Sequence, residues 1–163
     1  MRVQRLVLLS PGGFLPMVRQ FSLRGMLMVC FPARFTVNAF MRWLGVAGID
    51  ARPMLELMYL GLKHFRMAPE TLRVTATVFS DDELRAMRVP TLLLIGDHEV
   101  ISDPTKALAR ACRLVPDLEG ELVPRCRHDM CFSQRRIVDA RVLDFLKKTR
   151  TDDRGAITGR SVA

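Results

Sequence analysis

Two short apolar runs, Val3 to Leu9 and Val89 to Ile95, are rich in Leu, Val and Ile and closed by turn residues, as buried strands of a parallel sheet are. A third segment, Leu118 to Val123, alternates apolar and polar positions and reads as another strand. Between the first two the period changes. Phe21 to Phe31, Thr36 to Leu44 and Pro53 to Phe65 carry apolar residues at helical spacing, and Pro32, Gly45 to Gly48 and Pro69 separate them, so three or so short helices are expected there. Asp81 to Arg88 reads as a helical turn with acids at its positive end. Asp103 is a candidate N-cap and Pro104 a first helical residue for a helix reaching Leu114. Arg135 to Lys148 is amphipathic, with Ile137, Val138, Val142, Leu143 and Phe145 expected to face inward.

This order is the grammar of the α/β class, a parallel sheet wrapped by helices with right-handed crossovers. It divides the chain into a core strand and loop (1–13), a helical insertion (14–80), a C-terminal α/β core (81–148) and a polar tail expected to be disordered (149–163). The length of 163 residues with 49% hydrophobic content suits one domain with a genuine core.

The net charge of +8 changes little. Basic residues are scattered, and the dense spots Arg125-Cys-Arg127, Arg135-Arg136 and Lys147-Lys148-Thr-Arg150 lack interleaved aromatics, so a solvated surface is expected and no nucleic-acid partner. Cys30, Cys112, Cys126 and Cys131 have no zinc-site spacing and follow no secretory signal; they read as reduced cytosolic thiols, packed rather than reactive, in a cytoplasmic protein. The apolar run at the N-terminus is too short for a signal peptide, and none reaches the roughly 18 residues of a membrane span. Neither metal nor other cofactor is expected.

The candidate chemistry sits where strands end. Gly96 closes the second apolar run and is followed by Asp97, His98, Glu99 and Asp103; His128 lies on a loop after the third strand. Open parallel sheets place ligands beyond the carboxyl ends of their strands, so the acids and His128 share one rim. No Gly-x-Ser-x-Gly occurs, nor its Cys or Asp equivalent, and Ser10, Cys131 and Ser133 lack the glycine-flanked turn that would expose a nucleophile. Two members of a hydrolytic triad are visible. His64, within the helical insertion, reads as packing, and His98 as a surface residue beside the acid.

Pro90-Thr-Leu-Leu-Leu-Ile-Gly-Asp-His-Glu99, then His128 and a closing helix ending Val142-Leu-Asp-Phe-Leu146, resemble the acid turn, base and last helix of the α/β-hydrolase superfamily, in particular its lid-bearing esterase-like members. Arg5-Leu-Val-Leu-Leu-Ser-Pro11 resembles the strand preceding the family's lid, and residues 14–80 are a lid-sized insertion. The resemblance covers residues 2–148 and implies the sixth, seventh and eighth strands of the fold, with the first five and the nucleophile elbow upstream of everything present. The family's Gly-x-x-Asp turn maps the acid onto Glu99, with Asp97 and Asp103 as alternatives, and maps the base onto His128, although Arg127 stands where a Gly is usual. It implies hydrolysis of a small or medium apolar ester by the complete protein, this chain by itself being inactive. The competing expectation is a non-catalytic truncated product, or a lid and edge module that associates with another chain through the exposed edge of its first strand.

Overall fold

The computed structural model describes residues 3–47, 51–65 and 77–148. The expected tail, 149–163, lies outside them, as do residues 66–76 of the helical insertion. The order is β1 (Leu6–Leu9), α1 (Arg19–Cys30), α2 (Arg34–Leu44), α3 (Arg52–His64), α4 (Asp81–Arg85), β2 (Thr91–Gly96), α5 (Pro104–Leu114), β3 (Leu118–Val123), α6 (Met130–Ser133) and α7 (Arg135–Lys147). Among the described residues the strands form one parallel sheet in the order β1-β2-β3, with Leu6 opposite Thr91 and Thr91 opposite Leu118.

Side-chain alternation along β2 divides the core in two, because successive residues of a strand point to opposite faces. Leu93 and Ile95 pack with Leu84, Ala107, Ala111 and Leu114 on the face covered by α4 and α5. Leu92 and Leu94 pack with Met130, Val138 and Phe145 on the face covered by α6 and α7. All six residues of β2 are buried, as expected of a central strand, whereas β1 is half-buried and runs only from Leu6. Val3 is exposed, which corrects the longer strand expected from Val3: its pairing with β2 begins at Leu6. Gly120 lets α5 lie against β3, since a methyl group there would sit 2.6 Å from Leu108 Cδ1.

Helix ends follow local chemistry. Asp103 accepts a hydrogen bond from Lys106 N at 3.0 Å and Pro104 opens α5, while Ser80 and Glu83 form a reciprocal capping box on α4. In α7 Val138 and Phe145 are buried and Ile137 and Val142 partly so, but Leu143 is exposed. It stands about 100° round the helix from Val142, so the inward stripe passes it by. His64 is exposed at the end of α3 rather than packed, and Cys30, Cys112 and Cys131 are exposed as well; Cys126 alone of the four is buried.

Helices α1, α2 and α3 form their own cluster around Met28, Val37, Phe40, Met41, Leu44 and Tyr59. One residue of the β2–α5 connection, Ile101, is buried in that cluster with Val100 against it. The insertion is also fastened at its neck. Arg110 of α5 donates to the carbonyls of Phe14 and Phe79, near the two ends of the inserted segment, and to Asp81 at 2.7 Å.

Candidate active site

The rim at the carboxyl end of the sheet is built by backbone. After Gly96 the chain turns, with Glu99 N donating to Gly96 O at 3.0 Å and His98 N to Cys126 O at 3.0 Å, so the β2 turn and the β3 loop are laced together. No side chain fits between them: a methyl group on Gly96 would collide with Arg127 O and lie 2.7 Å from Cys126 O. His128 N donates to Leu44 O at 3.1 Å, which fixes the loop from the side of α2 as well. At the end of α2, Gly45 adopts φ 104° and leaves room for the Asp129 carboxylate, which a methyl group would strike.

These constraints bring Glu99 and His128 together. Glu99 Oε2 lies 3.0 Å from His128 Nδ1, and its Oε1 accepts from Val100 N at 2.8 Å and Ile101 N at 3.0 Å. The Glu99 side chain is 3% exposed and the His128 side chain 34%, so the acid is enclosed while part of the imidazole reaches solvent. Burial by itself pushes the Glu99 carboxyl up; the hydrogen bonds from His128 and Ile101 N and the Ser10 hydroxyl beside it outweigh burial and hold it below the usual range. With Nδ1 held as donor to the carboxylate, Nε2 is left as the acceptor, and no described residue hydrogen-bonds it.

The other two acids are engaged elsewhere. Asp97 accepts from Cys126 N at 3.2 Å and lies 2.6 Å from His98 Nδ1; the backbone N–H of Arg125 is the main cause of its lowered pKa. Asp103 caps α5. Of the alternative nucleophiles, Ser133 lies 3.4 Å from Asp129 O, Cys131 is exposed on α6 and Ser10 is buried; none hydrogen-bonds His128. The Cys126 thiol is pushed up to about 11, chiefly by burial, and is not a ready thiolate. Arg127 is engaged with α2, its Nη1 donating to Trp43 O at 3.2 Å. A cavity of about 440 Å³ beside it is bordered by Arg42, His98, Arg125 and Asp129, but by neither Glu99 nor His128.

Three contributors escaped sequence reasoning. Asp129 is buried and accepts from Arg127 N at 3.1 Å, shaping the loop that presents His128; the short helix α6 has no periodic signal; and Ser10, at the end of β1, is buried with φ 42°. The run of acids after Gly96 does not reveal the donors that fix Glu99, because they are main-chain groups.

Comparisons with known proteins bear on the fold. No family model matches the chain. Carboxylesterase YbfK of Bacillus subtilis is 28% identical over 153 residues, 89% of this chain and 50% of the relative. A solved structure of a putative hydrolase from Bacillus subtilis superposes with a TM-score of 0.80 at 32% identity, over 90% of this chain and 52% of that one. The chain belongs to the α/β-hydrolase superfamily. A segment of 68 residues, 42% of this α/β-hydrolase chain, is 50% identical to 23% of the uncharacterized carboxylesterase nap of Bacillus subtilis. The chain thus spans about half the length of the relatives it matches over most of its own. It carries the last three parallel strands of the α/β-hydrolase fold with their flanking helices.

The lowered Glu99 pKa has a sign in stability. A carboxyl whose pKa falls on folding stabilises the native state fully above its unfolded value, and the contribution is lost as pH drops through the folded value. Melting temperature is therefore expected to fall below about pH 4.3, the ordinary Glu value. Asp81, Asp97, Asp103 and Glu119 share that acid limb. Replacing Glu99 with Gln should flatten the limb measurably, and an unchanged acid limb would count against a charged, bonded Glu99.

Proposed function

We propose that this chain supplies the acid and the base of a carboxylic-ester hydrolase: Glu99 orients His128, and His128 Nε2 takes the proton of a serine nucleophile that the chain does not itself present. The observation that carries the reading is the Glu99–His128 contact, with the second carboxylate oxygen tied to two backbone N–H groups. In such a pair the carboxylate fixes the tautomer and ring angle of the imidazole and stabilises the imidazolium that forms; it does not take the proton. The proton then passes from Nε2 to the leaving alcohol. The carboxylesterase names of the relatives support ester over amide. The Met-, Phe- and Leu-rich helices α1 to α3, whose apolar cluster reaches the acid turn, support a small or medium apolar substrate.

A chimera joining the half of YbfK that this chain does not match to residues 3–148 tests the reading. It should hydrolyse p-nitrophenyl butyrate and take a fluorophosphonate label, and His128→Ala should abolish turnover while leaving the circular dichroism spectrum in place. A folded chimera whose hydrolysis survives His128→Ala would refute the assignment. This chain alone should take no fluorophosphonate label.

One observation favours a second reading, association through the sheet edge. Among the described residues β1 pairs with β2 only, and its half-buried Leu6 to Leu9 leave one edge without a strand. Light scattering should then report a dimer or larger species, and a Val7→Lys substitution should shift it toward monomer; a monomer at all concentrations would dismiss this reading.

A further inference from the structure

We propose that Ser10 is a positioning residue for the acid–base pair, its hydroxyl holding the Glu99 carboxylate in the orientation that meets His128. The inference deepens the hydrolase reading and rests on it. Ser10 ends β1, one residue beyond Leu9, which is opposite Leu94, and Ser10 N donates to Leu94 O at 2.8 Å. It is therefore level with the last residues of β2, where the acid turn begins. The following loop is closed over the same turn by Val18 N donating to Ile101 O at 2.8 Å, and Ser10 is left 8% exposed.

Two features of Ser10 call for a reason. Its φ of 42° lies in the left-handed region, where Gly is free of strain and a residue with a Cβ is not. Its Oγ is buried without a formed hydrogen bond, although a hydroxyl taken out of water needs an acceptor. Glu99 supplies one. Ser10 is among the groups that favour the ionised form of the Glu99 carboxyl, and its unpartnered Oγ is buried at the level of the acid turn. Oε1 already has two backbone donors, whereas Oε2 has the single bond to His128, and a carboxylate oxygen accepts more than one. Ser at a position that suits Gly thus retains a group that Gly would lack, and strain of this kind concentrates at functional sites. The titratable groups near the carboxylate are His128, to which it is bonded, and Cys126, whose thiol it pushes up.

The test is a pH titration of the full chain by NMR, following the Glu99 carboxyl carbon and the His128 ring, in the wild type, Ser10→Gly, Ser10→Ala and Glu99→Gln. Ser10→Gly relieves the φ strain and removes the hydroxyl, so it should melt no lower than wild type, yet its Glu99 midpoint should rise by about half to one pH unit. Ser10→Ala should give the same midpoint shift with a lower melting temperature; if it does not fold, Ser10→Gly carries the test. A Glu99 midpoint in Ser10→Gly equal to the wild-type value overturns the proposal, because a role confined to the backbone leaves the carboxyl untouched. Glu99→Gln separates this from a deeper failure. If it leaves the 15N shifts of the His128 ring unchanged, the acid–base pair itself falls, and the role of Ser10 with it.

Discussion

Gly96→Ala should be the most damaging small substitution in the chain. The added methyl would collide with the carbonyl oxygen of Arg127 and approach that of Cys126 to 2.7 Å, and both are backbone atoms that no rotamer change can move. Gly96 has no positive φ to lose, so the effect is steric alone. Relief requires the loop after β3 to move away from the β2 turn, breaking His98 N to Cys126 O and drawing His128 from Glu99. We expect destabilisation at the upper end of about 1–3 kcal/mol, the range for overpacking a dense interior, read by urea denaturation, together with loss of the Glu99-dependent shift in the His128 NMR signals. Gly61→Ala is the control. Nothing lies within 4 Å of a methyl group there, and Gly61 is within α3, so it should stabilise by about 0.5–1 kcal/mol. Equal stability of the two variants would remove the close approach of the two loops from the account of this site.

Glu99→Gln should have the largest effect on chemistry. The carboxamide has one oxygen, and Val100 N and Ile101 N already aim two donors at the position of Oε1. Its NH2 group is then turned to His128 Nδ1, and the imidazole must carry its proton on Nε2 instead. An Nε2 that holds a proton cannot accept one from a nucleophile. The corresponding Asp-to-Asn change in the serine-protease triad lowers kcat by about 10⁴-fold through the wrong tautomer, and a similar loss is expected for the esterase chimera, in kcat more than in KM. In this chain alone the same switch should be visible as a change in the 15N shifts of the two ring nitrogens. A kcat within tenfold of the parent chimera would show that Glu99 does not orient the base.

The sheet was readable because its signals are local. The run Leu92 to Ile95 is apolar without interruption, as a strand covered on both faces is, and Asp103-Pro104 announces a helix start in two residues. Helix α7 was legible as a helix but not residue by residue: Leu143 and Val142 are equally apolar, and only their angle to the sheet separates them. His64 and three of the four cysteines illustrate the same limit, since residue type gives a tendency to be buried and not a position. At the site, Glu99 and His128 could be nominated from strand ends and from family resemblance. The choice among Glu99, Asp97 and Asp103 turned on which main-chain N–H groups each one faces, and backbone direction through a turn is not written in side-chain type. Nothing in Leu9-Ser-Pro11 foretells φ 42° or a buried hydroxyl without a hydrogen bond.

Ile101 occupies two structures at once. Its side chain is part of the apolar cluster of α1 to α3, and its amide is one of the donors to Glu99. A substitution that repacks that cluster therefore tugs on a peptide that holds the Glu99 carboxylate beside His128. The packing of the three helices and the aim of the acid are thus inherited together, because one residue belongs to both.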